Sequence, residues 1–498
     1  MQARPSIRPR HPGTRRGFVL LAILVFILLL AMVTLSLLFR AQGDEIAGDA
    51  TAGSEQAWAA AWSGLNEALR VAAAAPPGST DWQDDAATFQ ARPVWLDGGE
   101  QWSFTIYSAA EANAPGPVRY GLADEAGKVN LNHCAGLDLS QIPRIIPAMA
   151  TALRQFTGQA NAPVLNPGDL PPPAEAPPAT ADPAALAVGE ALAGFTVTRH
   201  GPLATLDELL LLPGVTRALL HGAPPVAAAA PAPGLSDSNA APAVAPALGV
   251  APRPDPGWDQ FFTVWTRDPN RTAAGQKRCN LNDSNDPLPA ADWPAGFSNY
   301  VAAVRAAKGR LNQPTDVLEA TFQTTDERGV KATVASEITK DQLPLVLDLL
   351  TTEAADGRDG LLNVNTASSA VLTTLPGVDP ALADAIVSAR AGLDPERRAT
   401  IAWLYQDGIV DADKFKALAP RLTARAAQFH CGVIGYGQPS GRFRVLEAVI
   451  DTGGAVPRIV YLRDLTRLGL PFSLTPVNPA DPKAGATAQT RPAPPAHG

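Results

Sequence analysis

The chain has 498 residues, a formal net charge of −8, 46% hydrophobic and 18% charged residues. That length fits two to four domains, and the acidic balance argues against a general nucleic-acid binder. Its three cysteines, Cys134, Cys279 and Cys431, form no CxxC pair, which argues against a zinc knuckle. In an oxidising compartment two of them are free to pair, leaving one over, and the sequence does not choose the pair.

The first element is an uncharged run of 22 residues, Phe18 to Phe39. As a helix it spans about 33 Å, enough to cross a bilayer core. Arg4, Arg8, Arg10, Arg15 and Arg16 precede it, and no acidic residue appears before Asp44. Short positive flanks stay cytoplasmic, so the N-terminus is expected inside and everything after Arg40 across the membrane. A cleaved secretory signal has an apolar core of about 7–15 residues and a small-residue exit. This run is longer and ends Phe39-Arg40-Ala41-Gln42. A plain membrane anchor and a helix retained after trimming are the remaining readings.

The helix is expected to continue. From Asp44 to Val71 there is no proline, and Ile46, Ala50, Gly53, Ala57, Ala61, Leu65, Ala68 and Leu69 recur at helical spacing. Pro76-Pro77-Gly78 ends it, giving one helix from Phe18 to about Ala74. Its apolar stripe needs a covering sheet. Trp102 to Ser108, after a Gly98-Gly99 turn, reads as a strand, as do Val118 to Leu122 and Lys128 to Leu131. A helix followed by an antiparallel meander is α+β.

Further on, Leu139 to Phe156 reads as helical, interrupted by Pro143 and Pro147, and Asn161 to Pro183 as a proline-rich linker. Leu203 to Leu220 reads helix, Pro-Gly turn, helix. Ala223 to Pro256 is Ala/Pro-rich tether. Phe261 to Thr266 and Arg278 to Asn282 read as extended, and Asn299 to Lys308, Gln313 to Thr321 and Asp341 to Glu353 as helical. Leu361 to Gly392 reads as a helix-hairpin-helix unit: Asn365 or Thr366 caps its first helix, Pro376-Gly377 makes the turn, and Ala381 to Arg390 is its second helix. Ile401 to Asp407 and Asp411 to Leu418 add short helices. Ala427 to Tyr436, Arg442 to Asp451 and Arg458 to Leu465 read as strands, and Pro471 begins a Pro/Ala-rich tail.

Two internal echoes suggest duplication. Leu212-Pro213-Gly214-Val215 returns as Leu375-Pro376-Gly377-Val378. Asn130-Leu131-Asn132, Asn280-Leu281-Asn282 and Asn363-Val364-Asn365 are three copies of one element. A short strand ending in a side-chain-to-backbone asparagine turn accounts for the copies. Catalytic signals are weak. The six histidines form no HExxH, and no GxSxG or P-loop pattern occurs. His430 and Cys431 adjoin in an expected strand and so face opposite ways. The chain is therefore not expected to be an enzyme.

Gly17-Phe18 at the start of the apolar run, Gly-Lys-Val-Asn-Leu-Asn at 127–132, Leu-Asp-Glu-Leu-Leu-Leu-Leu-Pro-Gly-Val at 206–215, and Leu-Asn-Val-Asn-Thr-Ala with Leu-Pro-Gly-Val within 362–378 carry a family resemblance. Together they resemble the K-type minor pseudopilin of type II secretion, from Arg16 to Phe472. The resemblance implies cleavage after Gly17 by a prepilin peptidase and methylation of the new N-terminus, Phe18. It also implies a large helical domain inserted into a pilin sheet, a single-pass inner-membrane subunit with most of its mass in the periplasm, and partners among the I- and J-type minor pseudopilins and the major pseudopilin. Pilin-like subunits commonly carry a glutamate five places into the mature chain, where it pairs with a neighbour's N-terminus. Here that place is Ala22, which fits a subunit at the filament tip with none above it.

The expected division is a leader at 1–17, a membrane helix at 18–39, a pilin-like helix with first strands at 40–132 and an inserted helical domain at 133–222. A linker at 223–256 and a second strand-helix segment at 257–360 follow, then the helix-hairpin-helix domain at 361–424, C-terminal strands at 425–472 and a tail at 473–498. Members of that family hold calcium in acidic loops. Here Asp283, Asn285 and Asp286, or Asp356 and Asp359, have suitable oxygens without EF-hand spacing, so they read as solvated loop acids. No ligand is assigned and no cofactor is required. The rival class is a membrane-tethered helix-hairpin-helix DNA-binding protein of a competence or type IV pilus system. The hairpin Leu375 to Pro380 has no Lys or Arg and carries Asp379, which argues against it.

Overall fold

The computed structural model describes residues 16–110, 118–159, 201–222, 257–325, 331–472 and 474. The expected leader up to residue 15, the whole 161–183 linker, the 223–256 tether and nearly all of the tail lie outside the described residues. The fold is α+β. It combines a long N-terminal helix, an antiparallel sheet and a helical region inserted between two neighbouring strands of that sheet.

Helix α1 (Arg16–Ala74) is one unbroken element. Its last third presents Ala57, Ala60, Ala61, Leu65, Ala68 and Ala72, all buried, at three- and four-residue spacing. These small side chains let the helix lie close on the sheet formed by β1 (Arg92–Asp97), β2 (Glu100–Ala109), β3 (Gln428–Gln438), β4 (Phe443–Asp451) and β5 (Arg458–Asp464), in that order and antiparallel throughout. The helix side of the sheet supplies Phe104, Ile106, Phe429, Cys431, Val433, Leu446, Ala448 and Ile450 to the shared core.

β2 and β3 are hydrogen-bonded neighbours, yet the whole helical region separates them in sequence. That region repeats one device three times. A two-residue strand ending in asparagine pairs in parallel with a two-residue strand ending in threonine: Val129–Asn130 with Phe262–Thr263, Cys279–Asn280 with Leu350–Thr351, and Leu362–Asn363 with Leu422–Thr423. The first asparagine then turns the chain. Asn130, Asn280 and Asn363 accept through Oδ1 from the amides of Asn132, Asn282 and Asn365 at 2.9, 2.9 and 3.0 Å. The second asparagine staples the module shut. The amides of Asn132, Asn282 and Asn365 donate to the carbonyls of Leu203, Leu311 and Arg398 at 2.9, 2.9 and 2.8 Å. The expected asparagine turn is thus present in all three copies, and the partner threonines complete it.

The hairpin turns repeat as well. Gly214 and Gly377 have φ of +80° and +74°. Arg144 takes the same place at φ +65°, in Ile142-Pro143-Arg144-Ile145. In the sequence this stretch shows only two prolines breaking a helix, because an arginine does not advertise a left-handed turn. The first and third modules share a core that includes Leu131, Leu209, Val364, Leu372 and Trp403, while the second has its own around Phe297, Val301 and Val346.

Several expected elements are shorter or different. Val118 to Leu122, Lys128 to Leu131 and Phe261 to Thr266 contain only the strands Val118–Arg119, Val129–Asn130 and Phe262–Thr263. Gln313 to Thr321 is not a helix. It is a 3-10 turn, Pro314–Val317, leading into a hairpin of Thr321–Thr325 with Lys331–Ala335, where the β-branched run outweighs the helical spacing. Asp341 to Glu353 is helical only over Leu343–Leu349, since Leu350–Thr351 is drawn into the parallel pair. The first helix of the 361–392 unit, Ser369–Leu372, is capped by Ser368. Asn365 and Thr366 are engaged elsewhere, Asn365 as the staple and Thr366 with Asp124.

Gly257 has so little room that an added Cβ would stand 2.3 Å from the Gly222 amide nitrogen. The chain therefore leaves the first module and re-enters it at one point. Replacing 223–256 by two glycines is expected to leave thermal unfolding of the full chain unchanged or raised, because a shorter loop costs less closure entropy. A clear fall in melting temperature would contradict this closed neck.

Candidate assembly helix and its supporting seams

Gly17 and Phe18, the expected processing residues, lie in the first turn of α1. Beyond them, every large apolar side chain from Leu20 to Phe39 is bare, Ala22 sits among them, and the helix is long and apolar enough to cross a membrane. Exposed apolar side chains on this scale need a lipid or protein cover. Below this stretch Trp58 and Trp62 stack at 6.1 Å, and the helix turns its small residues to the sheet. One rod thus meets two environments: a bare, uncharged stretch from Leu20 to Phe39 and a last third seated on a protein core.

The inserted region is tied to the sheet by a buried polar seam. Asp124, at the end of the short strand Ala123–Asp124 that pairs with β3, accepts from Ala126 N at 2.9 Å, Asn363 Nδ2 at 2.7 Å and Thr366 Oγ1 at 2.6 Å. Burial pushes its carboxyl up to about 6, against the opposite pull of those three donors. Next to it Glu125 pairs with Lys128 at 2.6 Å and accepts from the Thr263 hydroxyl. Thr423 donates to Asp268 at 2.5 Å. The threonines that close the first and third modules thus anchor on carboxylates of neighbouring segments. The repeated asparagines were visible in the sequence, but the threonines that pair with them and the carboxylates those threonines reach were not.

Of the candidate calcium donors, Asp283 and Asp286 engage nearby amides through their carboxylates, and Asp356 and Asp359 are held through backbone contacts. Asp283 accepts from Asn285 N at 2.9 Å, and Asp286 from Asn280 N at 2.8 Å. The Asp356 carbonyl accepts from Asn270 N at 3.1 Å, and Asp359 pairs with Arg267 in a short antiparallel ladder. Among the described residues no three metal-ligating side chains converge.

The cysteines do not pair. Cys134, Cys279 and Cys431 are free and buried in three different cores, that of the first and third modules, that of the second, and that of the sheet. A disulfide needs α-carbons within about 7 Å, which separate cores do not supply. Burial pushes the thiols of Cys134 and Cys431 up to about 11 and 12. His430 and Cys431 take opposite faces of β3. His430 Nε2 lies 3.0 Å from Glu447, and the thiol is in the sheet core.

At the helix-hairpin-helix turn, Asp379 accepts from Leu382 N at 2.8 Å and so caps the second helix, Pro380–Arg390. Arg390, the nearest cation in sequence, turns inward to the carbonyls of Val364 and Ala367 at 3.0 and 2.6 Å. Lys414 Cε stands 4.0 Å from where a Gly377 Cβ would be, a cation the linear sequence did not place there. One amide at the N-terminus of that helix is thereby engaged by a carboxylate.

No family model and no curated protein matches the chain. Among solved structures it is similar to a chain of the GspK-GspI-GspJ complex from the type 2 secretion system of enterotoxigenic Escherichia coli, at 11% identity and a TM-score of 0.26, with 85% of this chain and 99% of that chain covered.

Proposed function

We propose that this chain is a K-type minor pseudopilin, held in the inner membrane by α1 with its N-terminus in the cytoplasm and its body in the periplasm. It acts as a structural subunit, without catalysis, that starts a short filament and supports protein export. The observation that carries this reading is α1 itself. It is a single helix, bare from Leu20 to Phe39, whose last third is fixed to a sheet. In this reading a prepilin peptidase cuts after Gly17, Phe18 is methylated, and the retained helix packs against the helices of I- and J-type minor pseudopilins and the major pseudopilin. The apolar Ala22 suits the tip, because a carboxylate there would need a cation from a subunit above. The three-module body supports the same place, since its bulk has room only at the end of a stack.

Replacing Gly17 with leucine is expected to leave the precursor at full length and to abolish export of the system's substrates. Precursor mass and substrate export are measured in the same cells. Normal trimming in that variant, or normal export without trimming, would sink the reading.

A further inference from the structure

The first module touches the outer face and free edge of the sheet through a cluster of ionisable groups that assembly does not explain. His221 ends the short helix Arg217–His221, at the neck where the chain leaves the module. Its Nε2 lies 2.8 Å from Asp207 and its Nδ1 3.1 Å from Asp259. Asp207 begins the module's second hairpin, and Asp259 follows the return of the chain at Gly257. Asp207 uses its other oxygen to accept from Arg463 of β5, the edge strand, at 2.5 Å. Further along this face His430 of β3 meets Glu447 of β4 at 3.0 Å, and Trp265 packs on Tyr461 of β5 at 6.1 Å.

Carboxylates only accept hydrogen bonds. An imidazole with a carboxylate on each nitrogen satisfies both only as the doubly protonated cation. The charges point the same way. Asp207 and Asp259 face one permanent cation, Arg463, so the remaining positive charge falls to His221. Tyr461 and Tyr107, the phenols on this side, are pushed further up, chiefly by burial, and stay neutral. Arg217 shares the short helix of His221, and Glu208 is occupied with the amides of Ala204 and Thr205.

We infer that His221 is a protonation-controlled latch, which joins the two sides of the module's neck and, through Asp207 and Arg463, holds the first module on the sheet edge at acidic pH and loosens as the pH rises. The hydrogen bond to Asp259 leads in raising the imidazole above its ordinary value, against the opposing effect of burial. Glu447 is lowered: burial pushes it up, but the hydrogen bond and charge of His430 and the charges of Arg463 and His221 outweigh this. A histidine raised on folding contributes its full stabilisation below about pH 6.5 and loses it as the pH climbs through the folded value. The latch therefore works above the ordinary histidine range.

The test is amide hydrogen exchange on the full chain in detergent micelles at pH 6 and pH 8.5, corrected for intrinsic rates. Amides of 206–221, 258–263 and 458–464 are expected to lose about three- to tenfold protection at the higher pH, a size set by one partly exposed charged pair. His221→Gln should give the looser pattern at both pH values, while Asp259→Asn should reduce the pH response. Should His221→Gln fail to fold, the wild-type comparison and Asp259→Asn still decide. Equal protection in the wild type at both pH values, or an unchanged pH response in either variant, overturns the latch.

Discussion

Gly435→Ala is expected to destabilise the full chain by about 1–3 kcal/mol, the range for forcing an extra methyl into a packed core. Gly435 lies in β3 beneath α1. A Cβ there would come 2.2 Å from Ala61 N, 2.3 Å from Ala57 O and 2.8 Å from Ala61 Cα. These are helix backbone atoms, so no rotamer relieves the clash and the helix must lift. Lifting it separates Leu65 and Ala68 from Phe104, Val433 and Leu446. Gly432, three residues earlier in the same strand, is the control. Its Cβ would meet the ring of Tyr107, a side chain with somewhere to go. Gly432→Ala should therefore cost less than Gly435→Ala in denaturant unfolding. Equal or reversed costs would mean that the close seat of α1 on β3 is not what holds the body together.

Asp124→Leu is expected to be more damaging, at about 3–5 kcal/mol, because it removes the acceptor and leaves buried donors behind. Asn363 Nδ2, Thr366 Oγ1 and Ala126 N all lose their partner at once. These contacts join a strand of the sheet to the opening of the third module, so exchange protection should fall first around 362–366. Asp124→Asn separates shape from charge. With the wild-type carboxyl raised to about 6, its stabilising contribution is complete below about pH 4 and lost as the pH rises through about 6. Relative to Asp124→Asn, the wild type should lose roughly 2–3 kcal/mol over that interval and nothing further above it. A flat difference between the two proteins would show that Asp124 is ionised throughout. This interval lies below the range of the His221 latch, so the two titrations are separable.

Features with local causes were legible in the residues. The uncharged run and the proline-free stretch after it specify one helix, because helical hydrogen bonds reach only four residues back. The three asparagine turns were legible because their bond spans two residues. The cap at Ser368 was missed because Asn365 and Thr366 are equally good capping residues, and only their distant partners remove them from that role. The strand Thr321–Thr325 was missed because its partner, Lys331–Ala335, lies further along the chain and its own residues fit either state.

By itself, then, the sequence determined the rod, the repeated turns and the uncharged place at Ala22, since each follows from charge, propensity and contacts within a few residues. Only the tertiary structure decided that β2 pairs with β3 across the inserted modules, that each opening asparagine has a threonine partner, that the three cysteines sit in separate cores, and that His221 stands between two carboxylates. Those outcomes depend on which distant segments share a core, and that is set by packing and burial over the whole chain.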